Sequence, residues 1–554
     1  MSIIAGIVSH TGLNITHKHL IEELTGYFQR FPTDETRVSA SNKHAIFNFD
    51  FDAYEQTAWL QNGQTTSACV GHPLLSSNRT DDLVTLRDSD CLNQALSESE
   101  GAFCYLSYCQ ATGRLTLATD PLGLRPFYFM HFQGALIFST QLKILKQLSL
   151  PLTRNLDGVT EFATLGYFLL DHTPYNEVRC ARPGERLDFH HGDTHLTEYF
   201  DWVQLAQVRY PTEFAVDLMD DAFKVACRKY LHHDTSVVTT LSGGLDSRVI
   251  AAELQRAGMD ITALNFSTSK TLDSHCAERF AQTQGIPLDL VSVRDTQSHS
   301  VEQKLGKHWR CRPHREYDRI SRPQLAWSGN GGSVGIGMIY YSDDVYNAAL
   351  SENVEALVDA YLDQQYAYAP KSVINGASDL QQNLRNNLIA SFAPLKSLPL
   401  DKAYQLFLFL NDQHHHLAVP FEEIDEYQME FCLPMYSWKV LQYPLSQPIQ
   451  EMRKHKFYLA WLAHAYPQTL QSPWQAYPGH IPCPLPIEGK NQWSIDRSKL
   501  LRVHEVIEIW QKTMDLPMRD RVNRRVFSVQ CLLHALHIRN SASSINFAKR
   551  FTYW

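Results

Sequence analysis

The sequence contains no apolar run near the ~20 residues that a membrane-spanning helix needs; its longest stretches of that kind, such as residues 406–410, are short core segments. It also lacks a secretory leader. The opening Met1-Ser2-Ile3-Ile4-Ala5-Gly6-Ile7-Val8 is apolar, but no basic segment precedes it and Ser9-His10 interrupts it. No CxxC pair occurs among the 11 cysteines. Scattered cysteines of odd number point to reduced thiols and a cytoplasmic protein. Excess basic charge is missing too: Lys and Arg number 50 against 59 Asp and Glu, a formal net charge of −9. A general nucleic-acid binder would carry the opposite balance, so no nucleic acid and no membrane are expected as partners.

What remains is ordinary globular composition, with 44% hydrophobic and 20% charged residues. At ~100–200 residues per domain, 554 residues make two to four domains. The first part is strand-rich: residues 3–8, 44–49, 101–108, 114–119, 127–132 and 135–139 are short apolar or alternating runs between turn residues. After Pro211 the pattern changes. Phe214, Leu218, Ala222, Phe223, Val225, Ala226 and Tyr230 recur at helical spacing. Strands are predicted at 236–241, 261–266 and 288–293, with helices at 247–257 and 274–284 between them, closed by Gly258 and Gly285. Alternating strands and helices of this kind form a doubly wound parallel sheet, so the fold class is α/β. From about residue 351 the chain reads as helical.

The first of those strands runs straight into Leu241-Ser242-Gly243-Gly244-Leu245-Asp246-Ser247. Two glycines permit positive φ and a close approach of backbone to an anion. The loop opens a helix, whose free amides and dipole favour phosphate. Ser242 and Ser247 add hydroxyl donors, and Asp246 is suited to a Mg²⁺ on the phosphates. The loop is not GxxxxGK[ST], so a kinase-type phosphate loop is excluded. The bland alternative is a tight Gly-Gly turn with an Asp cap.

This motif in this context resembles the synthetase domain of the asparagine synthetase family, one of the N-type ATP pyrophosphatases. The likeness extends over several ordered segments. Residues 1–8 are similar to the family's opening, Asp120-Pro121-Leu122-Gly123-Leu124-Arg125-Pro126-Phe127-Tyr128 to its D-x-x-G-x-R-P-L-Y segment, and Phe138-Ser139-Thr140-Gln141-Leu142-Lys143 to its F-A-S-E-x-K strand end. Ser328-Gly329-Asn330-Gly331-Gly332 resembles the second glycine loop, and Val419-Pro420-Phe421 with Asp425 resembles x-P-F-L-D. The resemblance implies an Ntn-hydrolase-like αββα glutaminase-type domain over 1–205. It implies an ATP-binding synthetase domain with a helical extension over 206–554. It further implies ATP and Mg²⁺ as cofactors, held by Leu241, Ser242, Gly243, Gly244, Asp246, Ser247, Phe266 and residues 328–332, with Asp246 on the metal. A homodimer is compatible with it.

Several positions depart from the family pattern. Ser2 stands where the glutaminase has its nucleophilic cysteine; a hydroxyl is a poorer nucleophile and needs a base. Val70-Gly71-His72 replaces Asn-Gly-Glu, and Val70 cannot donate to an oxyanion. Glu100 replaces an Asp that holds glutamine's amine, and no H-R-G-P-D-D counterpart is found. The first domain is therefore expected to be a scaffold without glutaminase activity, as in β-lactam synthetases and lasso-peptide cyclases. In the second loop Asn330 replaces an acidic residue or Tyr, and Ser333 replaces an Asp. Five glycines across residues 328–337 suggest close backbone approach to an anion. The R-x-K segment is replaced near Pro473-Trp474-Gln475, with Lys456 and Lys490 the nearest cations. Tyr340 and Tyr341, with Asp343-Asp344 following, are candidate bases. Asp273 is read as the N-cap of the second helix. His414-His415-His416 is read as a polar helix face; neighbouring helical residues diverge, which makes the triplet a weak metal site. The expected activity is adenylation of a small-molecule or peptide carboxylate and its coupling to an amine, in peptide, metabolite or polysaccharide modification. Asparagine synthesis and a catalytically inert binding protein are the alternatives.

Overall fold

The opening strand explains the first half of the chain. In Ser2–Ser9, Ile3, Ile4, Ala5, Ile7 and Val8 are all buried. A strand apolar on both faces needs cover on both. Ile4 and Val8 point into a core shared with a second sheet, and the helix Ile15–Phe28 packs on the strand with Leu20, Leu24 and Phe28 buried. In this computed structural model, which describes residues 2–32, 35–266, 271–291, 300–310, 319–477, 480–487, 503–515 and 521–553, two six-stranded sheets result. The first runs Arg179–Cys180, Tyr128–Phe132, Ala135–Ser139, Ser2–Ser9, His44–Asp50, Thr36–Ala40. The second runs Asp193–Glu198, Glu185–His190, Arg114–Thr119, Phe103–Cys109, Thr65–Gly71, Trp59–Asn62. Ile46, Val70, Leu106, Leu117, Phe129 and Phe138 fill the space between them. The helices Arg79–Asp88 and Leu92–Glu98 cover the outer face of the second sheet through Leu83, Leu86 and Leu96. This is an αββα sandwich, as the sequence resemblance implies for this part of the chain.

The parallel sheet has five strands: β1 Ser236–Thr240, β2 Asp260–Phe266, β3 Leu288–Val291, β4 Leu325–Trp327 and β5 Glu430–Cys432. All neighbours are parallel, in the order β3-β2-β1-β4-β5. Helix α1 (Asp246–Arg256) follows β1, and α2 (Leu272–Gln284) follows β2. Gly258 (φ +79°) and Gly285 (φ +67°) adopt the left-handed geometry that ends these helices. The chain reverses its winding between β1 and β4, so the loops after those two strands meet at the carboxyl edge, where such sheets bind ligands.

Sandwich and parallel sheet belong to one compact unit, residues 1–151, 180–339 and 413–494. Buried charge joins them. Arg125 Nη2 donates to both oxygens of Glu430, at 2.7 and 2.6 Å. The amides of Leu142 and Lys143 donate to Glu422 (2.6 and 2.9 Å), whose carboxyl burial pushes up to about 7. Lys143 Nζ and Gln141 Nε2 reach Asp425 Oδ1 at 2.6 and 2.8 Å. Three of the sequence motifs thus meet each other across this junction.

A second, helical unit comprises residues 152–179, 340–412 and 495–554. Its core gathers Val159, Val373, Leu380, Ile509, Phe527, Ile545 and Phe551. The helix Leu156–Leu165 leaves the sandwich to pack here with Ala377–Ser391 and Ala542–Phe551. Among the described residues, no helix is long and apolar enough to cross a membrane.

Candidate active site

The loop after β1 is built from its own hydroxyls and from Asp273. Ser247 Oγ accepts the Ser242 amide at 2.9 Å and lies 3.0 Å from Ser242 Oγ. Gly243 N–H donates to Asp273 Oδ1 at 2.8 Å, and Asn265 Nδ2 donates to both Asp273 Oδ2 and the Leu241 carbonyl at 2.8 Å. Asp273 is therefore not the N-cap of α2. That role belongs to Thr271, with Ser274 completing a capping box. Asp273 clamps the loop instead. The glycines also act differently from the expectation. Neither Gly243 nor Gly244 has positive φ. A Cβ on Gly243 would meet Asp273 Cα at 2.9 Å, so close packing against α2 requires glycine there. A Cβ on Gly244 would meet nothing nearer than Ser242 Oγ at 3.5 Å, which leaves room beside the loop. Helix α1 starts with no side-chain cap. Its first-turn amides have no helical acceptors, which gives the helix start a positive potential.

Asp246 is the centre of this edge. Tyr458 O–H donates to its Oδ1 at 2.6 Å, and Ser333 O–H donates to its Oδ2. Ser333 Oγ also lies 3.0 Å from the Tyr477 hydroxyl. Burial pushes the Asp246 carboxyl up, and the two hydroxyls partly offset it. The second loop's glycines approach other parts of the protein closely. A Cβ on Gly329 would meet the Asp246 carbonyl carbon and Ser247 N at 2.7 Å; one on Gly332 would meet Asp246 Oδ1 at 2.5 Å and Met435 Sδ at 2.8 Å. Gly331 (φ +95°) packs on Tyr436, and Gly337 on His455. Close packing against Asp246, Ser247, Met435, Tyr436 and His455 thus calls for glycine at these positions. We expect Gly332→Ala to push Asp246 aside and to weaken binding of ATP, the ligand that the sequence resemblance implies, at least about tenfold in calorimetric titration, with the far-ultraviolet circular dichroism unchanged.

Asn330 is held by a residue that the sequence did not single out. Its Nδ2 donates to Glu302 Oε1 at 2.6 Å, and Ser328 Oγ donates to the same oxygen at 2.8 Å. Glu302, 2% exposed, lies in the helix Val301–Arg310. An acidic group therefore stands at the second loop although Asn330 is not one. His416 Nε2 lies 3.2 Å from Asn330 Oδ1. His414 and His415 are buried, so the triplet is not a solvated helix face. A π-helical turn, Leu408–Gln413, directly precedes them. Tyr340 and Tyr341 fall in the second unit. There the Tyr341 hydroxyl donates to the Asp401 carbonyl at 3.0 Å, and the Tyr340 carbonyl accepts from Tyr404. Phe266 ends β2 with its ring 5.7 Å from that of His308. In the Pro473-Trp474-Gln475 segment, Gln475 N–H donates to the Gly243 carbonyl at 2.8 Å. Arg248 ties the same segment to α1 through the carbonyls of Thr469, Ser472 and Pro473. Lys456 is exposed; Lys490 lies outside the described residues.

In the sandwich, Ser2 lies on the first strand, paired with Asp50. Val70 is part of the inter-sheet core. Glu100 is buried and taken up by three partners: Lys229 Nζ at 2.6 Å, Lys439 Nζ at 3.1 Å and Ser437 Oγ at 2.9 Å. Asp120 accepts the amides of Phe103, Leu122, Leu124 and Arg125. Burial lifts its carboxyl to about 6 against those donors.

Two family models match the chain: a glutamine amidotransferase domain over residues 70–200 and asparagine synthase over residues 218–301. Among curated proteins, it is similar to the glutamine-hydrolyzing asparagine synthetase of Mesocricetus auratus, 29% identical over 31% of this chain and 30% of that one. The Homo sapiens protein of that name gives the same identity and coverage. A putative asparagine synthetase of Methanocaldococcus jannaschii is 24% identical over 32% of this chain and 34% of that one. The matched segment thus spans about a third of these relatives' length. Among solved structures, the allosteric regulatory enzyme of purine biosynthesis aligns at 12% identity and a TM-score of 0.24, over 55% of this chain and 87% of that one.

Proposed function

We propose that the chain is an asparagine-synthetase-like, ATP-dependent amide-forming ligase that does not use glutamine, a reading supported by its matches to the glutamine amidotransferase and asparagine synthase models. The observation that carries the reading is Asp246, held by Ser333 and Tyr458 at the uncapped start of α1. In this reading a substrate carboxylate oxygen attacks the α-phosphorus of ATP. The α–β bridging bond breaks, and pyrophosphate leaves an acyl-AMP. The α1 amides and Ser242 stabilise the charge on the phosphates. The donor set fits one Mg²⁺. Each Asp246 oxygen accepts one hydroxyl and keeps a lone pair, so Asp246 would hold such an ion on the phosphates. When bound, the ion neutralises charge on the departing pyrophosphate. An amine nitrogen then attacks the acyl carbon and AMP departs. Glu302, at 2.6 Å from Asn330, takes the proton that the amine sheds. The substrate is a small-molecule or peptide carboxylate with a partner amine.

The silent glutaminase half rests on Ser2, on Val70 in the core and on Glu100, whose charge two lysines already neutralise. A pyrophosphate-exchange assay over a panel of carboxylic acids tests the whole reading. We expect exchange with some acid, no glutamate from glutamine, and unchanged product formation by Ser2→Ala. Glu302→Gln should keep exchange and slow amide formation about 10²-fold. Exchange with aspartate alone, yielding asparagine, would replace this reading by asparagine synthesis. Absence of both exchange and ATP binding would leave an inert binding protein.

A further inference from the structure

The two buried histidines of the triplet face a cysteine from the sandwich. Cys180, His414 and His415 each offer one ligand atom, and these atoms all lie within 4.8 Å of one another. All three residues are buried, at 0, 1 and 4% exposure. They come from distant parts of the chain: Cys180 closes a sandwich strand, while the histidines follow the turn Leu408–Gln413.

We propose that Cys180, His414 and His415 form a binding site for a thiophilic divalent cation of the zinc class. One thiolate and two imidazoles are the ligand chemistry of zinc, and a water completes the tetrahedron. Zinc–sulfur and zinc–nitrogen bonds of ~2.3 and ~2.1 Å place tetrahedral donors about 3.6 Å apart, so closure needs shifts of about 1 Å. His414 is already oriented for the role. Its Nδ1–H donates to the Gly123 carbonyl at 2.7 Å, which leaves Nε2 as the lone-pair nitrogen. That Nε2 is buried without a hydrogen-bond partner. Burial also holds the ring neutral, with its pKa down at about 4. Gly123 makes room for this contact, since a Cβ there would meet His414 Nδ1 at 2.5 Å. The adjacent rings lie with centroids 4.0 Å apart and planes inclined at 47°. The ion would staple the sandwich to the segment that carries His416 toward Asn330. The site is separate from Asp246 and does not depend on the ligase reading.

The test uses the full chain, stripped with chelator and reloaded. We expect about one zinc per chain after desalting, and, with Co²⁺, a thiolate-to-cobalt charge-transfer band. Cys180→Ala should abolish that band, and His415→Ala should reduce retained zinc at least tenfold; Asp246→Asn should retain both. If either variant fails to fold, X-ray absorption of the zinc-loaded wild-type protein decides, with one sulfur and two imidazoles expected. A metal shell of oxygen and nitrogen only, or zinc retention unchanged in Cys180→Ala, would overturn the proposal.

Discussion

Asp246→Asn should lower ATP–pyrophosphate exchange at least about 10²-fold while the protein stays folded. The substitution keeps the side chain's shape and its ability to accept from Tyr458 at Oδ1 or from Ser333 at Oδ2. It removes the one carboxylate at the start of α1, and with it the anionic ligand for a phosphate-bound cation. Stability should change little, because burial already opposes the charged form of this carboxyl. A melting curve within a few degrees of the wild type, with exchange lost, separates a chemical role from a structural one. Exchange near the wild-type level would mean that Asp246 serves packing between the two glycine loops, and the ligase reading would lose its main support. Ser333→Ala is the milder companion, since it removes one neutral donor and leaves the carboxylate in place.

The sequence made the first three strands of the parallel sheet legible because apolar runs there alternate with helix signals and glycine stops, as in residues 236–247; β4 and β5, three residues each with no β-branched side chain, carry no such signal. It concealed the edge strands of the sandwich. Thr36–Ala40 and Trp59–Asn62 are short and largely exposed, so no alternation marks them. The excursion of residues 152–179 into the helical unit was hidden for another reason: Leu156–Leu165 packs against helices more than 200 positions away, and no local pattern encodes that. In the site, the Ser242–Ser247 loop was readable because its chemistry is contiguous. Glu302 was not. It is one glutamate in an amphipathic helix, and only the fold sets it 2.6 Å from Asn330. The glycines of residues 328–337 signal close backbone approach, but a sequence cannot distinguish glycine kept for a ligand from glycine kept for Asp246, Tyr436 and His455. Asp273 illustrates the same limit. Its place near a helix start suggested a cap, whereas its carboxylate reaches back to Gly243 and Asn265.

Arg125→Met should destabilise the first unit by about 3–5 kcal/mol, because it leaves Glu430 buried and unpaired. Both side chains are almost fully buried, and Arg125 Nη2 contacts both Glu430 oxygens while the guanidinium stacks 4.1 Å above the Phe421 ring. At roughly 1 °C per kcal/mol for a unit of this size, the melting temperature should drop by roughly 5 °C. The double variant Arg125→Met/Glu430→Leu should recover most of that loss, since replacing a buried pair by apolar groups of similar volume is often close to neutral. The exposed pair Arg385–Asp359 sets the contrast; Arg385→Met should cost no more than about 1 kcal/mol. The comparison bears on function as well as on stability. Arg125 belongs to the glutaminase-type segment, and Glu430 begins β5 of the sheet that carries Asp246. If the sandwich is kept as a scaffold, exchange activity should fall in Arg125→Met only in proportion to the folded fraction, and should return with the double variant. Activity that stays low in a refolded double variant would instead assign Arg125 a part in the chemistry.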